Sequence, residues 1–133
     1  MLFLPKRPVI WFSVLVVWYG TLWALSSIEG DSAPQRIPHL DKFQHFAYFL
    51  GGGMIVAGWL WRLRPASPDW KKTIAWTILI LAVLGAIDEW HQCYTPGRSG
   101  ADPWDWLADV LGGCAGAFVF KKIARQHLPR TRG

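Results

Sequence analysis

The sequence predicts an all-α membrane protein with four transmembrane helices and both termini on the cytoplasmic side. Two observations carry this. Four apolar blocks recur along the 133 residues, at Val9 to Leu25, Phe43 to Leu63, Thr73 to Ile87 and Trp104 to Phe120. A helix crosses a hydrocarbon core about 30 Å thick with ~20 residues; the second block supplies these alone and the others with flanking residues. The charges are also sorted. Of 14 Lys and Arg, all but Arg36, Lys42 and Arg98 lie at the N-terminus, in the second connection or in the tail. Every acid except Asp69 lies in the first or third connection or the adjoining helix ends. This alternation is the positive-inside pattern of a four-span protein.

The length fits one domain, residues 1–133. The net charge of +5 does not make a nucleic-acid binder, because the basic residues are divided among separate chain ends and turns. Cys93 and Cys114 form no CxxC or other zinc spacing. They are expected at different depths, as two free thiols.

The first helix is expected over 9–26, after a short basic entry. Trp18, Tyr19 and Trp23 near its outer end fit an aromatic belt. Lys6-Arg7 before an apolar run, with Ala24-Leu25-Ser26 as a weak cleavage signal, also has the look of a signal peptide. Cleavage would leave three spans and put the tail on the wrong side for the charge rule, so a retained helix is expected. Ser26 to Leu40 is polar, contains Pro34 and Pro38, and reads as an irregular loop.

Asp41 is expected to cap the second helix, 42–63. Gly51, Gly52 and Gly53 inside it read as small residues that let neighbouring backbones approach. Pro65 and Pro68 mark the next turn, and the third helix runs over about 71–92. Thr95-Pro96-Gly97-Arg98 supplies a bend. The fourth helix, about 103–122, starts with Pro103 in its first turn, where proline is favoured. Gly112 and Gly116 give it a small-residue face, and its basic tail is placed to touch anionic headgroups.

Helical spacing gathers the polar residues into three stripes. Asp41, His45, Tyr48 and Gly52 share one face of the second helix. Asp88 and Gln92 share one on the third, beside Glu89, and Asp105, Asp109, Gly112 and Gly116 share one on the fourth. At ~1.5 Å per residue from the basic inner boundaries, Asp109 stands ~18 Å up, Asp88 and Asp105 ~24 Å, His45 ~25 Å and Asp41 ~31 Å. Carboxylates facing lipid at those depths are costly, so the stripes should face one another and form an outward-opening polar pocket. Arg98 and Lys42 are the nearby fixed cations, with Arg98 able to fork onto a carboxylate. The acids outnumber them. Either a carboxyl is protonated or a divalent cation such as Mg, Mn or Zn completes the balance, although no diagnostic metal motif is present.

Asp41-Lys42-x-x-His45-x-x-Tyr48 resembles the first motif of the VanZ-like membrane protein family. Asp88-Glu89-x-x-Gln92, Pro96-Gly97-Arg98 and Asp105-x-x-x-Asp109-x-x-Gly112 resemble the rest of its pattern, in order, over roughly Asp41 to Gly116. Asp109 stands where the family often has Asn, which adds a potential negative charge. The resemblance implies a small polytopic inner-membrane protein of the cell envelope. The family takes its name from a member linked to teicoplanin susceptibility.

Three functions fit. The first is binding or remodelling of an amphiphilic ligand at the outer leaflet, such as a membrane lipid, a lipid-linked sugar or an acylated glycopeptide. Its ligand-binding residues would be Asp41, Lys42, His45, Tyr48, Asp88, Glu89, Gln92, Arg98, Asp105 and Asp109. Arg98 and Lys42 would hold an anionic group and the acids would take hydroxyls or cations. The second is an intramembrane hydrolase or transferase, with Asp88, Glu89 or Asp109 as general base and His45 as partner. No nucleophile elbow, Walker loop or zincin motif accompanies it. The third is a non-catalytic partner subunit whose polar cluster fixes helix register. Each residue also has a structural role to weigh: Asp105 as a first-turn acid favoured by the helix dipole, Tyr48 as packing with one hydrogen bond, Gln92 as orienter of a carboxylate, Trp104 and Trp106 as interface anchors, His39 and His91 as solvated groups.

Overall fold

The computed structural model describes residues 4–30 and 39–127. The expected Pro34–Pro38 loop and the end of the basic tail lie outside them. The described chain forms four helices: α1 (Pro8–Ser26), α2 (Leu40–Leu63), α3 (Trp70–Gln92) and α4 (Pro103–His127). The first three are long and apolar enough to cross a membrane.

α1 starts at Pro8, whose fixed φ and missing N–H suit a first helical position. Its inner face buries Leu15, Leu22 and Ser26, while Val9, Phe12, Val14, Val16 and Val17 are exposed. α3 and α4 carry similar exposed residues, among them Trp76, Leu79, Val83, Leu111 and Phe118. So much outward apolar surface matches a hydrocarbon solvent and not water.

α2 is the central helix and packs closely on α4. Small residues set that approach. A Cβ at Gly53 would meet the backbone of Gly113, and one at Gly112 or Gly116 would meet the carbonyl oxygen of Phe46 or Leu50. On the α1 side, Trp18 covers Gly52 and Trp11 covers Gly58. Gly51 has nothing within 4 Å of a built Cβ, so only two of the three consecutive glycines serve packing. One apolar cluster joins Leu15, Leu22, Phe49, Val56 and Leu81. A second joins Ala57, Trp61, Ala117, Phe120 and Ala124.

Two helix ends differ from expectation. α2 begins at Leu40 behind His39, whose φ of 62° is left-handed, so Asp41 is a first-turn residue and not the N-cap. Its carboxylate turns to Lys42 instead, at 3.1 Å. α4 continues past Lys122 to His127 because Ala124 extends the buried stripe of Ala117 and Phe120 by another turn. At α3, Asp69 is the N-cap and accepts the Lys72 N–H at 3.1 Å. Both cysteines are free.

Candidate functional site

The polar residues gather where the end of α1, the start of α2, the end of α3 and the start of α4 meet. The connection after α3 is fastened to the end of α1. Gly30 N–H donates to Pro96 O at 2.9 Å, and Thr95 Oγ1 donates to Ser26 O at 3.1 Å. Gly97 has a φ of 73° and lies so near Gly30 that a Cβ on either would meet the other's backbone. Arg98 donates through Nε to Ile28 O at 3.2 Å and through Nη2 to Leu25 O at 3.0 Å. Arg98 therefore satisfies carbonyls at the end of α1 and does not fork onto a carboxylate, correcting that expectation.

Asp88 is fully buried. Its Oδ1 accepts the Ser26 hydroxyl at 2.5 Å and its Oδ2 accepts Gln92 Nε2 at 2.8 Å. Tyr48 donates to Trp18 O at 2.8 Å and stacks on the Trp18 ring, with centroids 5.1 Å apart. Lys42 bridges the starts of α2 and α4, with Nζ 3.1 Å from Asp41, 3.1 Å from Asp102 and 2.9 Å from Asp105. Three carboxylates thus surround the Lys42 ammonium. Asp102 also accepts the Trp104 N–H at 2.8 Å and so caps α4. That N–H, and after it the Lys42 ammonium, hold its carboxyl below the usual carboxylate range against the opposing effect of burial.

His45 Nδ1 stands 2.9 Å from Asp109 Oδ1, and Asp109 is fully buried. With Asp109 ionised, Nδ1 carries the proton of that bond, because a carboxylate only accepts. Glu89 is also buried; its Oε2 accepts the Asp102 N–H at 2.9 Å. One oxygen of each acid, Glu89 Oε1 and Asp109 Oδ2, is buried without a hydrogen-bond partner. Gly85 makes room for Asp109, since a Cβ there would sit 2.8 Å from Oδ2.

The three expected stripes do face one another, but their shared interior is filled by these contacts. The open volume lies on the α1 side. A cavity of ≈ 650 Å³ has Leu22, Leu25, Ile28, Ala47 and Phe49 as walls and Ser26, Gln44, His45, Tyr48, Asp88, Gln92 and Arg98 as polar lining. A smaller, mainly apolar hollow of ≈ 330 Å³ lies between α3 and α4, beside Glu89, Trp90 and Trp106. Asp41, Asp105 and Asp109 line neither of these two. His91, expected to be solvated, stacks on Trp23 with centroids 3.8 Å apart. Trp106 donates to Ala82 O at 2.8 Å and so ties α4 to α3, while Trp104 is exposed.

Sequence reasoning missed Ser26 and Asp102. Ser26 continues the Trp18 and Leu22 spacing of four along α1, a signal that this face points inward. Asp before Pro103 is an N-cap signature.

A scan against protein-family models, a search of curated proteins and a search of solved structures each returned no match. Fold and site together define an all-helical protein with three helices of membrane-crossing length and apolarity. Its buried acid cluster sits where four helix ends converge.

Proposed function

We propose that this is a multi-pass inner-membrane protein of the VanZ-like kind, with four spans and cytoplasmic termini, that binds an amphiphilic cell-envelope ligand at its outer end. α4 supports the fourth span: its 25 residues would extend ~37 Å. The basic ends support the orientation, and the four ordered motifs support the family.

The cavity on the α1 side carries the ligand reading. It is large enough for a headgroup, and it combines aliphatic walls with Ser26, His45, Asp88 and Gln92. The interior is rich in acids, which disfavours an anion deep inside. A hydroxyl-rich head fits there, with its phosphate or carboxylate at the rim against the exposed Arg98. A lipid-linked sugar has this order of groups.

The test is photolabelling of the full-length protein in nanodiscs with a diazirine-bearing polyprenyl-phosphate sugar. Labels are expected on Leu22 to Ile28 and Gln44 to Phe49, falling about tenfold when Ala47→Trp fills the cavity. Labelling spread along the Val9 to Val17 surface, or insensitive to Ala47→Trp, speaks against the reading.

One observation favours a second reading, an intramembrane hydrolase or transferase. His45 lines the cavity and is oriented by Asp109, the arrangement of a general base with its orienting acid. Turnover of the same labelled lipid, lost in His45→Ala with photolabelling retained, would establish it.

A further inference from the structure

The structure assigns a divalent transition-metal site to His45, Glu89 and Asp109, with two carboxylates and one imidazole as its protein ligands. The site shares His45 with the cavity, but its argument does not rest on the amphiphile reading above.

Three observations meet here. The first is proximity. The three residues come from α2, α3 and α4, and each offers one ligand atom within 4.8 Å of the others. The second is the pair of buried, unpartnered oxygens, Glu89 Oε1 and Asp109 Oδ2. Glu89 is 4% exposed and Asp109 0%. A buried carboxylate oxygen without a donor is costly, and a cation beside both removes that cost. The third is orientation by neighbours. The Asp102 N–H holds Glu89 Oε2 at 2.9 Å, which leaves Oε1 for the centre. Metal-binding carboxylates characteristically have such outer support.

The donor set selects the kind of ion. His45 Nδ1 and Asp109 Oδ1 are 2.9 Å apart. The ion replaces the proton at Nδ1 and is held by the Asp109 carboxylate, Oδ2 included, so His45 binds as a neutral imidazole. Two carboxylates then balance two positive charges, and the centre is neutral. A mixed nitrogen and oxygen set favours Mn²⁺ or Zn²⁺ over Ca²⁺. Lys42 does not compete, because it is held by Asp41, Asp102 and Asp105.

The experiment loads tag-free, full-length protein in nanodiscs with Mn²⁺ or Zn²⁺ after chelation. One equivalent is expected to bind saturably, with at least tenfold weaker binding in Glu89→Gln and in Asp109→Asn. Glu29→Gln, at an exposed carboxylate outside the cluster, should bind as the wild type does. Bound Mn²⁺ in the wild type should show nitrogen modulation from a single imidazole, which His45→Gln abolishes; this readout does not depend on the folding of an acid variant. No saturable binding by the wild type, no nitrogen modulation, or modulation that survives in folded His45→Gln would overturn the assignment.

Discussion

Ser26 Oγ lies 2.5 Å from Asp88 Oδ1, so the last residue of α1 donates to a fully buried carboxylate near the end of α3. The bond fixes α1 against the bundle at the wall of the larger cavity. It also supplies one of two side-chain donors to Asp88, the other being Gln92.

Ser26→Ala should therefore cost about 1–3 kcal/mol, the penalty of a buried acceptor left short of a donor. Equilibrium unfolding in mixed micelles measures it. Thr21→Ala is the control, because Thr21 is exposed and its hydroxyl bonds to Val17 O within its own helix. Equal losses at the two sites would show that the Asp88 bond has no special weight.

His45 and Asp109 should couple. Removing one partner of a buried pair is expected to cost about 3–5 kcal/mol, because the other charge is left without compensation. His45→Leu alone leaves Asp109 stranded, whereas His45→Leu with Asp109→Leu removes both groups. The double variant is expected to be less destabilised than the sum of the single variants, with a coupling of about 1–3 kcal/mol. Strict additivity in the same unfolding assay would contradict the pair.

Neighbouring glycines should behave oppositely. Gly51→Ala meets open space and gains helix propensity, so a stabilisation of up to about 1 kcal/mol is expected. Gly53→Ala drives a Cβ into the Gly113 backbone, which cannot rotate away. Separation of α2 from α4 should then cost about 1–3 kcal/mol. Thermal unfolding of the two variants side by side decides it, and a matching shift at both positions would refute the close approach.

The helices and the convergence of acids were legible because both rest on local rules. Apolar block length and charge alternation signal helices long enough for a membrane, and spacing of three and four residues puts Asp41 with His45 and Asp105 with Asp109 on shared faces. Pairing across helices was not legible. Arg98 looked like the partner of a carboxylate, but it bonds to Leu25 and Ile28 carbonyls, because the turn at Gly97 packs on Gly30. No side-chain pattern encodes a backbone acceptor. The cavity was placed among α2, α3 and α4 because α1 carries no charge and so gave no polar stripe. Ser26 is its one small polar residue aimed at the acids.

The Lys42–Asp102 pair should leave a mark in the pH dependence of stability. Asp102 has its carboxyl held below the usual range, first by the Trp104 N–H and then by Lys42 at 3.1 Å. The unfolded chain has an ordinary carboxyl near about 3.9. A group depressed on folding contributes stability above its unfolded value and loses it as pH falls through its folded value. The wild type should thus keep this contribution from neutrality down to about pH 4 and lose it below. Asp102→Asn can still accept the Trp104 N–H, but it neither attracts Lys42 nor titrates. Its deficit against the wild type should be constant above about pH 5 and shrink as the wild type is protonated below about pH 4. Asp69 is also depressed, chiefly by the Lys72 N–H, but it is present in both proteins and cancels in the difference. Unfolding midpoints in detergent from about pH 3 to 7 provide the measurement. A deficit that stays level or widens toward acid would show that Asp102 contributes through its cap alone, without the charge pair.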